Sequence, residues 1–182
     1  PRCPRCSLPY PTPGGTDHLC EGCLRREPPF AWVAAAGLYQ EGLREAVHRF
    51  KFRGELGLDR PLGDLLTAAL AEQAPGWHPD LVVPVPLHRR RLAERSYNQS
   101  LLLARAVARG WRVPVPARLL RRERATPPQQ GLSAEERRRN LKGAFALSRP
   151  LGGERVLLVD DVLTTGATAR ECAQVLCAGG QH

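Results

Sequence analysis

The chain has 182 residues, room for one medium domain and a small appendage. Hydrophobic residues make up 42% of it, which is ordinary for a globular protein and argues against a disordered chain. Net charge is +9, carried almost wholly by arginine, with Lys51 and Lys142 the only lysines. No apolar run approaches the roughly 18 residues of a membrane helix, so no membrane insertion is expected. The start shows no signal-peptide pattern, and a cytoplasmic location is expected. Because the chain begins at Pro1 rather than Met, a few residues are expected to be missing or processed away ahead of it. Arginine suits bidentate binding of phosphate. A GC-rich or heat-adapted genome gives the same bias, together with abundant Pro and no Met. Charge alone therefore does not establish nucleic-acid binding.

Cys3-Pro4-Arg5-Cys6 and Cys20-Glu21-Gly22-Cys23 form two Cys-x-x-Cys knuckles. Each puts two thiolates on one side of a tight turn, and two facing knuckles make the tetrahedral set that Zn²⁺ prefers. The stretch between them holds Pro9, Pro11, Pro13, Gly14 and Gly15, too turn-rich and short for an apolar core. A structural zinc would supply the missing folding free energy. The other readings are two disulfides or a redox pair; the first is disfavoured by the absence of a secretion signal. His18 is left out because four cysteines complete the shell. Arg2, Arg5, Arg25 and Arg26 make this ribbon basic, either as a nucleic-acid contact or as a solvated face.

Glu27-Pro28-Pro29 reads as a domain boundary. Residues 30–39 are apolar with aromatic ends and predict a strand. In residues 42–52, Leu43, Ala46, Val47 and Phe50 recur at helical spacing, which leaves His48 and Lys51 off the stripe and exposed. A second helix is predicted over 62–74, stopped by Pro75-Gly76. Residues 80–86 predict a central strand running into a proline-braked turn.

Leu87-His88-Arg89-Arg90-Arg91 and Arg95 follow. This cluster reads either as an anion site or as a solvated basic loop, with His88 as an anion contact or an exposed turn residue. Ser96 and Gln99 have capping-box spacing for a helix through Arg109 that stops at Gly110. A third strand is predicted over 113–120. The polar, basic segment 121–143 is longer than a connection needs and reads as a lid or as a plain surface excursion. Within it Ser133 and Glu136 box a short helix, Ala134–Leu141, and Phe145 and Leu147 return to the sheet.

Val156–Val159 is an unbroken apolar run, suited to a parallel strand covered on both faces. Asp160 and Asp161 then fall at its carboxyl end, where open α/β sheets bind ligands. Thr164, Thr165, Gly166, Ala167 and Thr168 have small side chains, so backbone N–H groups at the start of a helix, Ala167–Ala178, stand open to a phosphate. The plainer alternative is an ordinary strand–turn–helix with capping Asp and Thr. Cys172 and Cys177 on this helix are expected in the core. The chain stops at His182, where a doubly wound sheet would continue, so a further strand is expected to be missing.

The stretch from Arg155 to Gly166, with its two acids and Thr-Thr-Gly-Ala-Thr, resembles the phosphoribosyl-pyrophosphate (PRPP) motif of type I phosphoribosyltransferases. The whole chain is similar to the ComF/GntX family of competence-type, phosphoribosyltransferase-like proteins. The cysteine ribbon, the Val83 to Arg91 segment, Arg95-Ser96-Tyr97-Asn98-Gln99, the Gln129 to Phe145 segment and the Asp160 to Thr168 loop stand in the family's order. Ser96 departs from the Gly often found there, which predicts a different backbone entry into the helix.

The resemblance implies an α/β fold with a parallel sheet flanked by helices. It divides the chain into a zinc ribbon at 1–28 and a phosphoribosyltransferase-like domain at 29–182. It further implies that Asp160 and Asp161 hold ribose hydroxyls, that residues 164–168 bind the 5′-phosphate, and that His88, Arg89, Arg90 and Arg91 flank pyrophosphate with Mg²⁺. Three functions fit: phosphoribosyl transfer to a nitrogen acceptor, a PRPP- or nucleotide-binding module without catalysis, and a competence protein that binds single-stranded DNA or other competence machinery.

Overall fold

The computed structural model describes residues 1–10, 15–125 and 134–180. Residues 11–14 of the ribbon turn, residues 126–133 of the proposed lid with the Ser133 cap, and the last two residues lie outside that range.

Strand β1 (Leu81–Pro84) and strand β4 (Val156–Val159) pair in parallel, with Leu81 opposite Val156 and Pro84 opposite Val159. A parallel pair needs cover on both faces, and side chains alternating across the pleat provide for it. Leu81 and Val83 face a core shared with Leu120, Leu141, Phe145, Cys172 and Leu176. Val82, Leu157 and Val159 face the opposite core, with Val47, Phe50, Leu62, Leu103 and Val107. That second core is supplied by three helices: α2 (Glu41–Phe52), α3 (Asp59–Gln73) and α5 (Gln99–Trp111). A Cβ built on Gly63 of α3 would lie 2.3 Å from the Ala106 Cβ of α5, so the absence of a side chain sets how closely these helices pack.

The first face is covered by α6 (Ala134–Leu141), α7 (Ala167–Ala178) and the antiparallel pair β2 (Leu120–Arg122) and β3 (Phe145–Leu147). Helices α6 and α7 and strands β3 and β4 fall on the residues expected for them. The result is α/β, with a parallel strand pair between helices. Among the described residues no helix is long and apolar enough to cross a membrane.

Five local expectations are corrected. Residues 30–39 form no strand. Their backbone groups go to side chains instead: the Gln73 amide donates to the Ala35 carbonyl at 3.0 Å and accepts from the Ala35 N–H at 3.2 Å. Of the strand predicted over 113–120, Leu120 alone belongs to a strand, β2. Pro114 and Pro116 lack donors, so this segment lies beside β1 mainly as an acceptor, with Val82 N donating to Pro114 O at 3.1 Å.

The arginine cluster is not a turn but a helix, α4 (Arg89–Arg95), which ends on Ser96 in the left-handed conformation at φ 66°. Asn98, not Ser96, caps α5 by accepting from Ser100 N, and α5 continues through Gly110 to Trp111. Lastly, Cys172 is buried as expected but Cys177 is exposed.

Candidate functional site

The cysteine knuckles converge. The backbone turns back through Ser7 N to Cys3 O at 2.8 Å, and a short helix α1 (Glu21–Arg25) carries Cys23 back toward Cys20. All four sulfurs lie within 4.8 Å of one another, with Cys6 Sγ 3.6 Å from Cys20 Sγ. A tetrahedron with Zn–S bonds near 2.3 Å has edges of about 3.8 Å, so the set fits Zn²⁺ and can hold a metal ion. Burial raises the Cys3 thiol, but amide donors led by Cys20 outweigh it and hold it down to about 6. Burial, with the neighbouring sulfurs, pushes Cys6 up. Four crowded thiols that cannot all ionise alone are what a cation would relieve.

The ribbon is fastened to the rest of the chain. Ser7 Oγ donates to Val33 O at 2.6 Å and Arg5 to Phe30 O at 3.3 Å. From α7, Arg170 donates to Arg26 O at 3.2 Å, reaches Cys23 Sγ at 3.8 Å and lies over the Phe30 ring.

At the tip of β4, Asp160 is half-buried. Its Oδ1 accepts from Ser100 Oγ at 3.1 Å and from Asp161 N at 2.9 Å. Burial, then the charge on Asp161, pushes its carboxyl up to about 7 despite those donors and Lys51. The Asp161 side chain is 5% exposed, and its Oδ2 lies 2.8 Å from Lys51 Nζ. That approach is off the hydrogen-bond direction, so Oδ2 has a charge beside it but no aligned donor. Lys51 was expected to be exposed; it sits in the last turn of α2 and turns inward instead.

Thr164 and Thr165 stand exposed beyond the acids, and Gly166 caps α7 at φ 70°, where a side chain would be strained. Asp160, Asp161 and residues 162–166 line a cavity of about 1040 Å³, walled otherwise by α2, α3, residues 33–39 and the ribbon. Leu8, Leu38, Tyr39, Leu65 and Leu163 are exposed on its rim.

Ala167, Thr168, His88, Arg89, Arg90 and Arg91 do not line this cavity. His88 has a role the sequence did not suggest: its ring Nδ1 accepts from Arg90 N at 3.3 Å and caps α4. Arg89 and Arg90 are exposed, while Arg91 is half-buried. Burial, with Arg91 beside it, pushes the Arg122 guanidinium down, and Asp160 opposes that shift. Sequence reasoning missed Lys51, Ser100, Arg122 and Arg170. Each lies on a helix or strand rather than in a motif, and spacing carried no signal for any of them.

An acidic strand tip, a small-residue loop and a four-cysteine cluster on one α/β chain define the class. The chain is similar to Competence protein F of Haemophilus influenzae, 38% identical over 164 residues, covering 86% of this chain and 71% of that protein. It is likewise similar to DNA utilization protein YhgH of Escherichia coli K12, 37% identical over 182 residues and covering 98% and 78%. Competence protein ComFC of Bacillus subtilis matches at 29%, over 79% of this chain and 57% of its own. The chain belongs to the ComF family. No family model matches it, and no solved structure does.

Proposed function

We propose that this chain is a type I phosphoribosyltransferase-like protein that binds PRPP, transfers its phosphoribosyl group to a nitrogen acceptor, and serves competence or DNA uptake. The names of its relatives support the last part, as competence and DNA-utilization proteins. The observation that carries the first part is the acid pair at the β4 tip, followed by exposed small residues at the amino end of a twelve-residue helix. Residues 1–28 act as the zinc ribbon and residues 29–182 as the transferase-like domain.

In this reading Asp160 and Asp161 accept from the ribose hydroxyls. The amides of Thr164, Thr165, Gly166, Ala167 and Thr168 take the 5′-phosphate, helped by the dipole of α7. His88, Arg89, Arg90 and Arg91 flank the pyrophosphate. The bond from the anomeric carbon to pyrophosphate breaks, and its electron pair leaves with pyrophosphate. The acceptor nitrogen's lone pair forms the new C–N bond, and its proton passes to solvent. Positive charge on the sugar is offset by the two carboxylates, and charge on the leaving group by the arginines. Mg²⁺, when bound with PRPP, would neutralise pyrophosphate. The two carboxylates alone are too few for a protein cage, so most of its ligands would be phosphate oxygens and water.

A second reading, a non-catalytic PRPP- or nucleotide-binding protein or a single-stranded-DNA binder, draws on the exposed Arg89 and Arg90 and on the relatives' names. Titration calorimetry with PRPP and Mg²⁺ tests the pocket. Wild type is expected to give saturable heat, and the double variant Asp160→Asn with Asp161→Asn to lose at least tenfold in affinity with its circular dichroism unchanged. Equal affinity in the two proteins would remove the acid pair from the site.

A further inference from the structure

Among the described residues, Lys51 is the cation in direct contact with Asp161 of the acid pair. Its surroundings fix the direction of approach. It lies between Phe50 and Phe52 at the end of α2. Tyr97 donates its hydroxyl to the Phe50 carbonyl, and the Arg95 guanidinium lies 5.2 Å over the Phe52 ring. Asp161 and Arg95 both act on Tyr97. The last turn of α2 is therefore fastened to the segment that closes the arginine helix, and Lys51 stands between that corner and Asp161.

Resting on the PRPP reading above, we infer that Lys51 is a ligand-binding residue that occupies Asp161 in the free protein and passes to the pyrophosphate when the ribose hydroxyls arrive. Two physical facts support the exchange. First, pyrophosphate hangs on the anomeric carbon, next to the carbon that bears a hydroxyl, whereas the 5′-phosphate lies across the ring. A cation resting on the hydroxyl-binding acid thus lies on the side of the ring that carries the pyrophosphate rather than the 5′-phosphate. Second, a lysine is a mobile point charge on a flexible stem. The Lys51 side chain is 24% exposed, whereas that of Asp161 is nearly covered at 5%. The exchange keeps both groups partnered: hydroxyl donors replace the ammonium at Asp161, and the ammonium meets the most anionic group of the ligand.

The test compares two ligands in calorimetry with the full chain: PRPP with Mg²⁺, and ribose 5-phosphate, which lacks pyrophosphate. Lys51→Met is expected to weaken PRPP at least tenfold and ribose 5-phosphate less than threefold, with Lys51→Arg restoring most of the PRPP affinity. A similar loss for both ligands, or no loss for PRPP, would overturn the assignment. If Lys51→Met proves too unstable to titrate, Lys51→Arg and Lys51→Gln, compared on the same two ligands, carry the same contrast. Wild-type protein that binds neither ligand would instead sink the PRPP reading itself, an outcome visible before any variant is made.

Discussion

Asp160 shows how one residue ties the site to the stability of the chain. Its carboxyl would titrate near 3.8 in the unfolded chain and at about 7 in the folded one, because burial and then Asp161 oppose its ionisation. Between those values the folded state holds more protons than the unfolded one. Stability contributed by this group is therefore present at low pH and lost as pH rises through 7. Asp160→Asn removes the titration. The melting temperature of wild type is expected to fall from pH 5 to pH 8 more steeply than that of Asp160→Asn, read by circular dichroism in matched salt. Parallel slopes would show that Asp160 is ionised throughout. The acids themselves were legible in the sequence, since their place after an apolar strand is a local pattern. Their partners were not: Ser100 and Lys51 reach them from 60 and 110 residues away along the chain.

At the scale of elements, patterns with a single competing reading came out as read. Helix Ala167–Ala178 is one, and the strand Val156–Val159, apolar throughout because both its faces are covered, is another. Failures gathered where tertiary partners replaced local ones, as at residues 30–39 with Gln73, or where capping residues crowd together. Ser96, Asn98 and Gln99 all have capping chemistry, and the sequence alone does not say which one starts α5. The departure at Ser96 has a physical meaning. At φ 66° this residue closes α4 in a conformation that costs a side-chain-bearing residue roughly 1–2 kcal/mol and glycine almost nothing. Glycine's greater freedom in the unfolded chain returns part of that difference. Ser96→Gly is expected to raise stability by about 0.5 kcal/mol, a rise of roughly 1–2 °C in melting temperature, while Ser96→Ala, which keeps the strain, gives no rise. A lower melting temperature for Ser96→Gly would contradict this account of the turn.

The molecule as a whole places two chemistries side by side. The cysteine cluster is joined through Arg170 to the helix that begins at the small-residue loop, and the ribbon walls part of the cavity onto which the acid pair opens. The ribbon was readable from spacing because metal ligands come in fixed local pairs. Its docking was not, because Arg170 carries no motif. The arrangement leads to one claim: the amides of residues 164–168 and the carboxylates at 160 and 161 grip opposite ends of one phosphorylated ribose. A crystal structure with ribose 5-phosphate bound tests it most directly. The account predicts the phosphate on the amides of residues 164–168 and the ring hydroxyls within hydrogen-bond distance of Asp160 and Asp161, with Lys51 Nζ moved off Asp161. Sugar phosphate held elsewhere, with Lys51 still on Asp161, would contradict it.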